Sequence, residues 1–334
     1  MNRNINLLIL FLSLLLGNVT WGQDPLFTQF NSSPLLLNPA LAGTTYAPKF
    51  SLNHRSEWPS IEQAYTTYAV SYDQFFKKYN SGIGVLLLTD NAGKGILMTN
   101  KIGLSYAYRI EIAKGLYFKG GLEFAVIHNN LDWDKLVFFD QIDPILGISP
   151  GGVPLPTTEV RPESLNNLSF DTGAGVLVYS DYFYSGFSIK HLNAPDLTFL
   201  EGFENVKSGL DMRMTLLLGG QIPVSRNNFF SLSPSVLISK QGDFIQFNGG
   251  SFFNFHTISL GLFARHTFNN IDAAIASISW KKDIFKFGYS FDYTLSKLSI
   301  SSGGSHELSI VINLENTKWY PKPYRYSDCL GLFR

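Results

Sequence analysis

The sequence is poor in charged residues and contains one cysteine. Asp, Glu, Lys and Arg make up 16% of the 334 residues, whereas soluble domains carry about 25%. Because Cys329 is the single cysteine of the sequence, an intramolecular disulfide framework is excluded. The formal net charge of zero argues against nucleic acid as a partner, because phosphate binding requires a surplus of basic residues. No apolar run long enough for a transmembrane helix follows residue 22.

The first 22 residues have the layout of a secretory signal peptide. Arg3 provides the positive charge, residues 7–16 form an apolar run, and Thr20 and Gly22 precede a cleavage site before Gln23. A retained membrane anchor is the alternative, but the run is too short to cross a hydrocarbon core of about 30 Å. No cysteine lies near the cleavage site, which argues against a lipoprotein. We therefore expect an exported protein.

An exported chain without spanning helices can cross a bilayer as a closed β-barrel. Segments of about ten residues alternate apolar and polar side chains, as transmembrane strands do. A soluble β-sandwich gives the same alternation, but the connections favour a barrel: the first, fifth, seventh and thirteenth are long, and the even ones are mostly short. We predict an all-β transmembrane antiparallel barrel of about 14 strands. The predicted strands are 46–56, 64–73, 81–90, 97–110, 115–128, 168–179, 182–191, 211–222, 228–239, 243–254, 256–266, 271–280, 283–293 and 305–314.

Motifs along nearly the whole mature chain resemble the PorP/SprF family, membrane proteins of the type IX secretion system of Bacteroidetes. The resemblance rests on the order and spacing of these motifs and not on any single motif. The motifs include Gln23-Asp24-Pro25, Leu37-Asn38-Pro39-Ala40, Asn53-His54-Arg55, Leu131-Asp132-Trp133, Phe139-Asp140-Gln141, Ser233-Pro234-Ser235, Gly288-Tyr289-Ser290-Phe291-Asp292-Tyr293 and His306-Glu307-Leu308-Ser309.

The resemblance implies a non-enzymatic outer-membrane protein that serves type IX secretion, often in gliding motility. It implies contacts with outer-membrane lipid and with the periplasmic ring lipoproteins and motor, and in some members with a large secreted adhesin. Whether the role is in export or in surface attachment stays open. The family supplies no catalytic residues, and neither the six histidines nor the Gly-rich turns of this sequence have the spacing of a metal, cofactor or catalytic site.

Eight charged residues fall on the polar faces of predicted strands and are candidates for a lumenal charge network. Four are basic and four acidic, a balance that favours pairing within a plugged or narrow barrel over an open channel. They are Arg109, Lys119, Glu123, Asp171, Lys190, Arg265, Asp292 and Glu307.

The remaining segments are candidate partner surfaces. Following the signal peptide at 1–22, we assign 23–45 to a periplasmic N-terminal segment, 46–314 to the barrel and 315–334 to a C-terminal tail. The apolar groups of 23–45 predict that it either caps the barrel or enters it. The loops 130–167 and 192–210 are longer than hairpins need. The tail carries aromatic residues suited to an interface: Trp319, Tyr320, Tyr324, Tyr326 and Phe333.

Two other functions remain open at this point. The same barrel is suited to diffusion or uptake of small solutes, in which case its lumen would conduct. A surface adhesin or structural barrel without a role in export is the other alternative, and it predicts normal cargo secretion when the protein is removed.

Overall fold

The computed structural model describes residues 23–61, 65–143, 147, 155–199, 209–225, 229–267, 270–295, 302–321 and 329–333. The segment assigned to the signal peptide lies outside these residues. Among the residues that the structure describes, no helix has both the length and the apolar character needed to cross a membrane.

Fourteen antiparallel strands form one closed barrel, which confirms the predicted fold class. Each strand pairs with its neighbours in the chain, and the first pairs with the last from Lys49–Asn313 to Glu57–Ser305. The predicted strand ends lie within about three residues of those observed. The strands are β1 Lys49–Glu57, β2 Tyr65–Phe76, β3 Ser81–Ala92, β4 Leu97–Ala113, β5 Leu116–Leu131, β6 Asn166–Tyr179, β7 Phe183–Lys190, β8 Arg213–Gly220, β9 Phe230–Gln241, β10 Phe244–Phe255, β11 Ile258–Thr267, β12 Asn270–Lys282, β13 Phe285–Thr294 and β14 Ser305–Asn313.

Short segments complete the described structure. Ile222–Pro223 extends β8 in the same register along β9. One α-helical turn, α1, spans Pro34–Leu37 and precedes the first strand. Single 3-10 turns span Pro39–Leu41, Lys77–Tyr79, Trp133–Lys135, Phe139–Gln141 and Cys329–Phe333.

The three longest connections, residues 132–165, 191–212 and 295–304, lie at one end of the barrel together with 58–64. At the opposite end 77–80, 114–115, 180–182, 256–257 and 283–284 are short turns, and 221–229 is the longest connection. Outer-membrane barrels carry long loops outside and short turns in the periplasm. We therefore call the first end external and the second periplasmic.

The side chains of each strand alternate between lumen and exterior. On β5, Leu122 and Phe124 are exposed on the outside, whereas Glu123 between them is buried. On β4, Ile102 and Leu104 face outward in the same way. An apolar exterior of this kind is what lipid-facing strands require.

Replacing Leu122 by Arg should lower the free energy of unfolding by roughly 2–4 kcal/mol, because an arginine near the bilayer midplane is costly. Leu122 is 52% exposed and points away from the lumen. Urea titration of the barrel in lipid vesicles measures the effect, with Leu122→Ile as the control. Equal stability of the two variants would show that this face does not contact lipid.

Candidate functional site

Residues 23–45 lie inside the barrel. Its apolar groups predicted that it either caps the barrel or enters it. In the structure these groups lie within the lumen, where Phe27, Phe30, Leu35 and Leu37 are all buried. We call residues 23–45 the plug. A free tail would expose these side chains to water. Contact with the barrel wall buries them, and burial of apolar surface is favourable.

The plug folds into tight turns that suit a narrow lumen. Pro34 begins α1 at a position where its missing N–H costs nothing. The helix ends at Asn38, whose side-chain Oδ1 accepts a hydrogen bond of 2.8 Å from the N–H of Ala40 and starts the next turn. Two consecutive turns thus pack eight residues into a short length of lumen.

Inward-facing glycines of the wall make room for the plug. A Cβ added at Gly121 would overlap the backbone of Pro39 and Ala40, and one at Gly175 would overlap the side chain of Asn38. A Cβ at Gly82 would similarly overlap Ala42. Since a methyl group at any of these positions has no space, the wall and the plug are fitted to each other at the level of backbone contact.

Polar groups of the wall satisfy the plug's backbone. Lys119 Nζ donates to the carbonyl of Ala42 at 2.6 Å. Buried carbonyls need such partners, since an unpaired one is destabilising. Three further wall groups donate to carbonyls of the plug: Ser188 Oγ to Leu37 O (2.6 Å), Lys190 Nζ to Leu35 O (3.0 Å) and Arg213 Nη2 to Leu36 O (2.7 Å). In the opposite direction, the N–H of Thr28 in the plug donates to a carboxylate oxygen of Glu307 at 2.6 Å.

One group of charges in the external half of the lumen joins five strands to the plug. We call it the Asp24 cluster, and its members are Asp24, Lys101, Glu123, Asp171, Lys190, His191 and Arg213. Lys101 lies 3.0 Å from Glu123 and 2.8 Å from Asp171, and Lys190 lies 2.6 Å from Glu123. The plug's Asp24 contacts His191 at 2.7 Å and Arg213 at 2.9 Å.

The charge states in this cluster are coupled. Burial by itself lowers the pKa of His191, but the nearby carboxylates of Asp24 and Asp171 outweigh this and raise it. Burial raises the pKa of Asp24, yet Arg213 and His191 bring it well below its usual range. Both residues lie outside the strands, and each stabilises the charged form of the other.

A second group, the Arg55 cluster, consists of Arg55, Arg265, Asp292 and Glu307. Asp292 lies 3.2 Å from Arg55 and 2.7 Å from Arg265, and Arg55 also pairs closely with Glu307. Thr28 of the plug donates its hydroxyl to Asp292 at 2.7 Å. Ions buried in this way require partners of opposite charge, and here the plug completes the set.

Seven of the eight charges singled out in the sequence are buried in the lumen. The structure brings Glu123, Asp171 and Lys190 together in the Asp24 cluster. Arg265, Asp292 and Glu307 belong to the Arg55 cluster, and Lys119 binds the plug's backbone. Arg109 lies apart, near the periplasmic end, where its guanidinium stacks 4.2 Å from the ring centroid of Phe75.

Among the described residues, sequence reasoning missed further charged residues of the lumen. Lys49, Arg55, Asp73 and Lys101 share the inward parity of their strands, so the alternation already used for the other strands would have identified them. Arg213 begins β8 on the inward face. Asp24 and His191 lie outside the strands, and no periodic signal marks them.

The C-terminal tail divides into an exposed and a buried part. Trp319 is 87% exposed and Tyr320 is half-buried, whereas Phe333 is buried against Tyr184 with ring centroids 5.3 Å apart. Tyr324 and Tyr326 lie outside the described residues. Of the five aromatic residues predicted to bind a partner, Trp319 is thus accessible at the periplasmic end and Phe333 is part of the barrel interior.

No group of three or more His, Cys, Asp or Glu side chains suited to a metal ion occurs within the described part of the chain. The lumen holds the plug in place through hydrogen bonds and ion pairs. The plug, which the Asp24 and Arg55 clusters hold and which packs against the wall glycines, occupies the space through which a solute would pass.

Comparison with solved structures finds other barrels. The toluene transporter TbuX of Ralstonia pickettii has a TM-score of 0.49 at 10% identity, over 84% of this chain and 92% of that one. The toluene transporter TodX of P. putida has a TM-score of 0.49 at 10% identity, over 84% and 93%. The KdgM porin has a TM-score of 0.38 at 7% identity, over 80% and 99%.

No curated protein matches the chain. The family model of the type IX secretion system membrane protein PorP/SprF matches residues 19–312, from before the plug to the last strand. The match confirms the resemblance and, with the closed barrel, places the protein in the outer membrane. The chain belongs to the PorP/SprF family of type IX secretion system membrane proteins.

Proposed function

We propose that the protein is a non-enzymatic component of the type IX secretion and gliding machinery that supports export or surface attachment of cargo adhesins. Its family provides the setting. The observation that carries the proposal is the plug: a barrel whose lumen is filled by its own N-terminal segment offers partners its two end surfaces. On this proposal, periplasmic ring lipoproteins or the motor contact one end and the adhesin contacts the other.

The plug also bears on the alternative of a diffusion or uptake channel. Solute passage would require the plug to leave the lumen, which would separate Asp24 from Arg213 and Thr28 from Asp292. Breaking buried ion pairs without replacing the partner is costly. The resting barrel therefore favours a role in protein recognition, and conductance of the purified protein distinguishes the two.

The external end presents apolar side chains to a partner. Phe139 is 92% exposed and Val160 is 82% exposed, both in the long loop between β5 and β6. Thr157 and Thr158 donate hydrogen bonds to Asp140, so the two segments that carry these groups lie side by side. Exposed apolar patches mark protein interaction sites more often than isolated apolar residues do. This loop is where we expect an adhesin to bind.

The periplasmic end presents Trp319. Tryptophan is among the residues that contribute most to binding energy at protein interfaces, and this one has no burial to explain its presence. Lys318 beside it is also exposed. We expect a periplasmic component of the secretion system to bind this part of the tail.

Replacing Trp319 by Ala should reduce cargo display at the cell surface several-fold, because loss of a central interface residue costs about 2 kcal/mol or more of binding. Antibody labelling of the cargo on intact cells measures the effect. Tyr182→Ala provides a matched control, since Tyr182 is an exposed aromatic residue in a periplasmic turn. Both variants should keep the heat-resistant barrel.

The outcomes separate the contact from the function. Normal cargo display in the Trp319→Ala strain would show that this residue is not the periplasmic contact. Normal display and normal gliding in a strain that lacks the whole protein would refute the proposed function itself.

A further inference from the structure

The plug and the C-terminal tail meet at the periplasmic end of the lumen. The described end of the tail, Cys329–Phe333, forms a 3-10 turn with Cys329, Leu330 and Phe333 buried. These three residues belong to the same hydrophobic cluster as Phe30 and Leu41 of the plug. The two chain segments that flank the barrel sequence thus share one core inside it.

Lys49 joins them. Its Nζ donates to Thr44 Oγ1 of the plug at 2.9 Å and to the carbonyl of Phe333 in the tail at 2.9 Å. The same Nζ lies 2.9 Å from Asp73 Oδ2 on the neighbouring strand. An ammonium group has three protons, and these three contacts account for all of them.

The surroundings of Lys49 make this junction rigid. Its side chain is 1% exposed and that of Asp73 is 0% exposed, so neither can exchange its partners for water. Asp73 also accepts a hydrogen bond of 3.2 Å from the N–H of Thr44. The last turn of the plug is therefore bound both by the cation and by the carboxylate.

The tail turn has further attachments to the wall. The N–H of Cys329 donates to the carbonyl of Ser180 at 3.1 Å, and Lys286 Nζ donates to that of Leu332 at 3.3 Å. Phe333 packs edge-on against Tyr184 of β7. These contacts fix Cys329–Phe333 across the periplasmic end of the lumen.

The chain connectivity gives this position a consequence. The plug is tethered to the barrel at its own C-terminal side, where Thr45 leads through residues 46–48 into β1 at the periplasmic end. A plug that leaves the lumen while remaining attached there swings out through the periplasmic opening. The tail turn lies in that path.

We propose that the C-terminal turn Cys329–Phe333 holds the plug in the barrel and that its removal from the periplasmic opening releases the plug. A periplasmic protein that draws the tail away breaks the bond between Lys49 and Phe333 and separates the shared hydrophobic cluster. The tail thereby couples events in the periplasm to the state of the lumen. This proposal concerns the barrel itself and does not rest on the proposed role in secretion.

Conductance of the purified full chain in planar bilayers tests the proposal. Removing residues 329–334 should raise the frequency of channel opening at least tenfold over the full chain. Lys49→Met should raise it as well and should also expose the thiol of Cys329, which is buried in the native protein, to maleimide labelling. Lys114→Met alters an exposed lysine in a periplasmic turn and should change neither readout.

A heat-modifiability gel on each preparation establishes that the barrel is folded. A folded barrel without residues 329–334 that stays as closed as the full chain would overturn the proposal. So would a Lys49→Met barrel in which Cys329 reacts fully while conductance remains at the native level, because the tail would then leave without releasing the plug. If Lys49→Met does not fold, Phe333→Ala gives the same two readouts without disturbing Asp73.

Discussion

Gly121→Val is expected to prevent the plug from docking and to turn a closed barrel into a conducting one. The side chain at 121 points into the lumen, where even a Cβ would overlap the backbone of Pro39 and Ala40. Backbone cannot move aside as a flexible side chain does, so the plug must shift as a unit. Valine favours strands, and the wall itself should therefore fold normally. Bilayer conductance of the purified variant measures the opening.

The adjacent residue supplies the control. Gly120 faces outward, and the nearest atom to an added Cβ is in the ring of Phe118 at 3.8 Å. Gly120→Val therefore makes the same chemical change in the same strand without meeting the plug, and its conductance should stay at the native level. Equal conductance of the two variants would mean that the plug does not occupy this position in the folded protein.

The strands were predictable because the membrane environment imposes a simple rule. On β4 and β5 every second side chain meets lipid, so Leu104 and Leu122 must be apolar while Ser105 and Glu123 need not be. The ends were less well defined, since beyond the lipid the rule no longer applies. For example, β5 continues at its external end to Leu131. This part carries Asn129 and Asn130, and these residues are as compatible with a loop as with a strand.

The plug was predictable only in part. Its apolar groups indicated burial, but nothing in residues 23–45 repeats with the period of a strand or a long helix. The wall carries the corresponding signal in its inward glycines, Gly82, Gly121 and Gly175. In a sequence these resemble ordinary small residues of a lumen, and only the structure shows that three different strands place them against one segment.

The tail illustrates the same limit. Trp319 and Phe333 are both aromatic residues beyond the last strand, and composition does not distinguish them. Their environments differ because the carbonyl of Phe333 binds Lys49, a contact between residues 284 positions apart. Interactions of this kind are set by the closure of the barrel, which brings β1 and the chain's end to the same opening.

The buried charges lead to the second large effect. Glu123 is 1% exposed and is the carboxylate that Lys190 contacts, at 2.6 Å, while it also lies 3.0 Å from Lys101. Glu123→Gln should lower the free energy of unfolding by about 3–5 kcal/mol, because removing one partner leaves a buried charge uncompensated. Urea titration in lipid vesicles measures this loss. Glu111→Gln, at an exposed site near the periplasmic end, should leave the stability nearly unchanged.

A double variant identifies the cause of the loss. Replacing a buried pair by apolar residues of similar size is often neutral, so adding Lys190→Met to Glu123→Leu should recover much of the stability that Glu123→Leu alone removes. Recovery would show that the cost arises from an unpaired ammonium in a dry lumen. A loss of less than about 1 kcal/mol for Glu123→Gln would instead match a solvated pair. Water would then reach Lys190 past the plug, and the plug would not close the lumen at the height of Glu123.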